Sequence, residues 1–160
     1  MIGIQITIAE PGNHLVSVEM RLQPRLARLC LQLPGWTPGS YLIRDYVRNL
    51  EGLRVCQGDA PVSLDHLGPA CWRLEVDPAG PELVIRYRVI ATELSVRTPH
   101  LDDQHAFLPL AALVLEVEGE RWTPHRLRCT LPPDWRAFSP LPGDPCEGVT
   151  AQNLERRHHA

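Results

Sequence analysis

The chain has 160 residues, 44% of them hydrophobic, and a formal net charge of −3 with histidine neutral. That length points to one domain whose core needs no staples, and the hydrophobic share excludes a disordered chain. The weak negative charge gives no reason to expect nucleic acid or an anionic membrane surface as a partner, and no run of about 18 apolar residues is present to span a bilayer.

Period-2 alternation begins at once. Ile2, Ile4, Ile6 and Ile8 alternate with Gly3, Gln5 and Thr7, the pattern of a strand buried on one face. This start also lacks the basic residues and continuous apolar run of a secretory signal, so the expected location is cytoplasmic. Pro11-Gly12-Asn13 marks a turn, and Val16, Val18, Met20 and Leu22 resume the alternation, predicting a hairpin. A third strand runs through Leu29, Leu31 and Leu33 and stops at Pro34-Gly35. Between Ser40 and Leu50 the spacing changes: Ile43, Tyr46, Val47 and Leu50 fall at i, i+3, i+4 and i+7, which predicts a short helical segment with Ser40 as N-cap.

Weaker strands are expected over Leu53 to Cys56 and Trp72 to Val76. Stronger ones are expected over Leu83 to Val89, Leu113 to Val117 and Leu127 to Leu131. Turn clusters separate them every eight to fifteen residues, and the 16 prolines favour many short elements. The predicted fold is all-β: an antiparallel β-sandwich over residues 1–146, with one short helical segment after Ser40. Residues 147–160 are expected to form a polar, flexible tail.

Candidate chemistry is sparse. The five cysteines, Cys30, Cys56, Cys71, Cys129 and Cys146, are odd in number and widely spaced, which favours free thiols in a reducing compartment. His100, Asp102, Asp103 and His105 are plausible zinc or manganese ligands by type, but the expectation is a polar turn, with no metal site assigned. There is no H-E-x-x-H, no G-x-S-x-G and no phosphate-binding glycine loop. No catalytic residue is therefore assigned.

One stretch is odd for a plain connection: Leu33 to Asn49, LPGWTPGSYLIRDYVRN. Two prolines and two glycines specify its backbone, while Trp36, Tyr41 and Tyr46 bring large apolar area with polar tips. Arg44 and Asp45 interrupt an apolar turn, and a buried arginine is costly unless paired. The favoured local reading is a structural corner, with Trp36 plugging a sandwich end and Arg44 bonded to carbonyls or a carboxylate.

PGWTPGSYLIRDYVRNL resembles a signature near the start of the glycyl-aminopeptidase family of zinc metallopeptidases, gluzincins usually carrying a PDZ domain. Trp72, the strand ending Tyr87-Arg88-Val89-Ile90-Ala91, then Glu93-Leu94-Ser95-Val96-Arg97-Thr98, Asp102, Ala106-Phe107-Leu108 and Leu131-Pro132-Pro133-Asp134-Trp135 follow in the order of that family. The resemblance covers roughly residues 4–145. It implies an amino-terminal β-domain that packs on, or borders the peptide cleft of, a thermolysin-like catalytic domain, in cis or in trans. It implies zinc in that catalytic domain and no cofactor in this chain. The residues it marks for docking or for bordering the cleft are Trp36, Thr37, Pro38, Gly39, Ser40, Tyr41, Arg44 and Asp45. An exposed apolar docking face there, and self-association through it, are expected. The alternative is a stand-alone β-sandwich module that binds a peptide or a protein, and a weaker reading is a hydrolase with a site around His100 to His105.

Overall fold

The computed structural model describes residues 1–37, 41–95, 97–141 and 143, and residues 149–150 as backbone. The strands are β1 (Ile2–Thr7), β2 (Leu15–Leu22), β3 (Arg28–Gln32), β4 (Leu50–Gln57), β5 (Ala60–Val62), β6 (Asp65–Gly68), β7 (Cys71–Glu75), β8 (Leu83–Ile90), β9 (His100–Leu101), β10 (Ala106–Phe107), β11 (Glu116–Val117), β12 (His125–Thr130) and β13 (Val149–Thr150). The only helices among the described residues are single 3-10 turns, Pro11–Asn13, Tyr46–Asn49 and Leu110–Ala112, and none is long and apolar enough to cross a membrane.

Two sheets form the sandwich. The larger has the order β13-β12-β1-β2-β8-β4-β5 and the smaller β11-β3-β7-β6; β9 and β10 pair apart from both. The alternation seen in the sequence determines which side faces in. Ile4 lies opposite Met20 and Ile6 opposite Val18. Val18 lies opposite Tyr87, Met20 opposite Ile85 and Leu22 opposite Leu83, and all of these side chains are buried. From the smaller sheet Leu29, Leu31, Trp72, Leu74 and Val117 join the same core. Burying each such aliphatic side chain stabilises the fold by about 1.5–3 kcal/mol. The outer face of the large sheet is polar: Glu19 accepts from Arg21 at 2.6 Å and from Arg86 at 2.7 Å, and Arg88 meets Glu51 at 2.8 Å. These pairs are solvated and contribute solubility more than stability.

Among the described residues the strand pairings are antiparallel apart from one. β1 runs parallel to β12, with Ile2 opposite His125 and Thr7 opposite Thr130. β13 extends the same edge beyond residue 146, pairing Val149 with Leu127 and Thr150 with Arg126. Of the expected tail over residues 147–160, residues 147–148 and 151–160 lie outside the described residues.

One predicted element is present as a single turn and another is corrected. The short helical segment expected after Ser40 is present as the 3-10 turn Tyr46–Asn49. A hydrogen bond keeps it from starting earlier: the Arg44 amide donates to the Gly35 carbonyl at 2.6 Å, so it is unavailable to a helical turn. Ile43 consequently leaves the apolar stripe and is 87% exposed, while Tyr46 is buried. Ser40, the expected N-cap, lies outside the described residues, and Asp45 at the observed start makes no side-chain cap. The predicted strand Leu113 to Val117 pairs only at Glu116–Val117, with Gln32 and Leu31 of β3. Leu113 and Leu115 are buried as expected, but Leu113 N–H closes the preceding 3-10 turn on Leu110, and Tyr87 takes up the next backbone groups in place of a strand partner.

One buried carboxylate is explained by its partners. Glu120 accepts from Arg25 Nε at 2.9 Å and Arg25 Nη2 at 2.7 Å, and from the Thr123 hydroxyl. The Arg25 hydrogen bonds outweigh burial and hold its carboxyl below the ordinary range. A lowered folded-state value means that this stabilisation is present above the unfolded carboxylate range and is lost as pH falls through it. Glu120→Gln is therefore expected to be less stable than the parent chain at neutral pH, with the difference closing under acid. Thermal melts across that range check it, and a difference independent of pH would refute it.

Candidate functional site

The ends of several strands gather at one end of the large sheet. Leu15 at the start of β2 pairs with Ile90 at the end of β8, and Leu50 at the start of β4 pairs with Val89. The Leu33–Asn49 stretch therefore runs into the sheet beside the loop that follows β8. Arg48 forms an ion pair with Glu93 in that loop. The loop in turn bridges to the β9–β10 hairpin: Thr92 pairs with His100, and Leu101 N–H donates to the Ala91 carbonyl at 2.8 Å. His14 completes the end, with Nδ1 2.5 Å from the Leu101 carbonyl oxygen and its own carbonyl accepting from Ala91 N–H at 2.8 Å.

The first candidate is the signature stretch. Trp36 is 54% exposed, so it does not plug the sandwich end; Tyr46 is the buried aromatic of this segment. Tyr41, Leu42 and Ile43 are exposed, and so is Leu94 beside Glu93. Gly35 has a steric role, because a Cβ there would come 3.2 Å from the Arg44 carbonyl oxygen and 3.5 Å from Ile43 Cγ2. Arg44 Nε is buried without a hydrogen-bond partner among the described residues. Thr37 is half-buried and Asp45 exposed. Pro38, Gly39 and Ser40 lie outside the described residues.

The second candidate is the hairpin cluster. Asp102 sits at the turn between β9 and β10. Its Oδ1 accepts from the backbone N–H groups of Gln104 and His105, each at 2.8 Å. His100 Nε2 lies 3.1 Å from Oδ2, and His105 Nδ1 lies 3.1 Å from Oδ1. The two backbone donors, with His100 next, hold the Asp102 carboxyl far below the usual carboxylate range. One donor atom each from His100, Asp102 and His105 lie within 4.8 Å of one another. Asp103 is not one of the three. It lies against Gly12, where a Cβ would come 2.9 Å from its Oδ1.

Cys30, Cys56, Cys71 and Cys129 form no disulfide, and burial followed by the Glu118 contact pushes the Cys30 thiol up, away from a nucleophilic thiolate. Cys146 lies outside the described residues. The outer strands are short: β5 has three residues and carries Pro61, β6 has four, and β11 and β13 have two each, which blunts pairing with an added peptide.

Comparison with known proteins agrees with the resemblance in the signature stretch. A family model described as the peptidase M61 N-terminal domain matches residues 3–156. The crystal structure of an aminopeptidase N family protein from Idiomarina loihiensis is similar, with 28% identity and a TM-score of 0.82 over 97% of this chain. The chain spans 27% of that structure's length. No curated protein matches.

Proposed function

Since the chain belongs to the peptidase M61 N-terminal domain family, we propose that it is the non-catalytic amino-terminal domain of a zinc aminopeptidase-like protein. In this reading it packs on a thermolysin-like catalytic domain and borders its peptide cleft. The observation that carries the proposal is the exposure of Trp36, Tyr41, Leu42 and Ile43 within the signature stretch. Large apolar side chains gathered in one exposed segment are the mark of a surface built to be covered.

The catalytic zinc of such an enzyme does not fit residues of this chain. The sequence has no H-E-x-x-H, so the two imidazoles of a zincin and its general base are not supplied. Zinc chemistry is accordingly assigned to the catalytic domain. A cytoplasmic location belongs to the same proposal and rests on the odd, widely spaced thiols. The stand-alone peptide-binding alternative gains less support, because the outer strands are short and β5 carries proline.

The test is reconstitution in trans. The chain is mixed with the catalytic portion of an M61-type peptidase, and complex formation and glycyl-peptide hydrolysis are measured. The expected result is a stoichiometric complex, with no hydrolysis by this chain alone even with zinc added. Failure to associate would remove the docking role, and hydrolysis by the chain alone would remove the non-catalytic one.

A further inference from the structure

We propose that His100, Asp102 and His105 form a site for one divalent transition-metal ion of the zinc class. The proposal is independent of the docking role and of any zinc in a catalytic domain. The sequence alone suggested a polar turn, and folding of the β9–β10 hairpin changes that reading. A turn needs only Asp102, whose Oδ1 takes the two backbone N–H groups. It does not need two imidazoles converging on the same carboxylate from its two oxygens, each 3.1 Å away.

The distances suit a tetrahedral ion. Zinc bound at about 2.0–2.1 Å sets its donors roughly 3.3–3.4 Å apart. Each imidazole nitrogen already lies 3.1 Å from one of the two Asp102 oxygens, and one donor atom from each residue lies within 4.8 Å of the others, so closing the site takes a rotation of the exposed His105 ring. The donor set selects the ion: two imidazoles and one carboxylate suit zinc, copper or nickel, whereas magnesium and calcium take oxygen. The scaffold is ordered before binding. Ala106 pairs with Leu101 and Phe107 with His100, and Thr92 bridges to His100. The burial is graded, with the His100 side chain 12% exposed and that of His105 60%. The fourth position therefore opens to water. One feature keeps the affinity modest: ligation through His100 Nε2 moves the ring proton to Nδ1, which is buried and has no partner among the described residues, whereas tight sites give that proton an acceptor.

The experiment is a titration of the whole chain with zinc by calorimetry and with cobalt(II) by visible spectroscopy, after chelator treatment. It is run in a His158→Ala, His159→Ala background so that the adjacent C-terminal histidines do not compete. One equivalent is expected to bind, with cobalt bands of nitrogen–oxygen ligation and none of thiolate ligation. His105→Ala is expected to weaken binding at least about 10-fold, since even outer partners of a metal ligand are worth that much. Zinc at about 100 times its Kd is expected to raise the unfolding temperature of the parent by roughly 5 °C or more, and that of His105→Ala by much less. His105 is exposed, so the variant folds, and equal melting of the two chains in chelator checks this. Asp102→Asn keeps an acceptor for the turn and is expected to lose affinity without unfolding. The proposal is overturned by absence of binding at one equivalent, by binding unchanged in His105→Ala, by loss of binding in the tail background, or by thiolate bands.

Discussion

Replacing Tyr87 by Phe is expected to lower the unfolding free energy by about 2–4 kcal/mol. The hydroxyl of this buried residue sits between the two layers. It donates to the Leu113 carbonyl at 2.6 Å and accepts from the Leu115 N–H at 3.1 Å. Both backbone groups are buried and have no ladder partner, because pairing with β3 begins only at Glu116. Phenylalanine fills nearly the same space but leaves a buried carbonyl and a buried N–H unsatisfied, at about 1–3 kcal/mol each. For a chain of this size the melting temperature should fall by roughly 5–15 °C. Burial also pushes the Tyr87 phenol well above its ordinary value. The folded state therefore holds that proton more tightly, and the contribution is complete below the unfolded tyrosine range and declines as pH rises through it. Tyr87→Phe should thus differ most from the parent at neutral pH and least under strong alkali. Urea unfolding followed by circular dichroism measures this, and a loss below about 0.5 kcal/mol, the usual scale of surface changes, would show that the hydroxyl is not the link described.

The same tyrosine shows how far the sequence could be read. Leu83, Ile85, Tyr87 and Val89 alternate on one side, and that alternation predicts a strand and its inward face. β1, β2, β3 and β12 are legible for the same reason. Alternation names a face and not a neighbour, so the parallel pairing of β1 with β12 had no local signal. Nor did the phenol of Tyr87 reaching a segment 26 to 28 residues away. Short strands such as β9 and β10 are too brief to show a period. At the candidate sites, residue type was legible and geometry was not. His100, Asp102 and His105 are near one another in the chain, yet their convergence depends on the hairpin and on the Thr92 bridge. The helical spacing after Ser40 yields only one 3-10 turn, Tyr46–Asn49, because the hydrogen bond from Arg44 N–H to the Gly35 carbonyl competes with a helix too short to sustain itself.

That hydrogen bond also turns Ile43 outward, and the second large effect follows from it. Aspartate at both Tyr41 and Ile43 is expected to leave folding intact while abolishing association. Neither side chain is covered, so the stability change should stay within about 0.5 kcal/mol. Binding is different. A fully buried aliphatic or aromatic side chain is worth about 1.5–3 kcal/mol, and a central interface residue costs at least about 2 kcal/mol when truncated. Loss of two such contacts, with a charge left against an apolar partner, should weaken docking to a catalytic domain by roughly 100-fold or more. The chain alone should self-associate through the same segment at high concentration, and the double variant should sediment as a monomer. Tyr46→Ala is the contrasting control, because Tyr46 is buried in the core and its removal should cost about 3–5 kcal/mol of stability. Sedimentation equilibrium and thermal melts separate the two effects. If the parent chain is a clean monomer over a wide concentration range, and binds a catalytic domain no better than the double variant does, the exposed segment is not the docking surface.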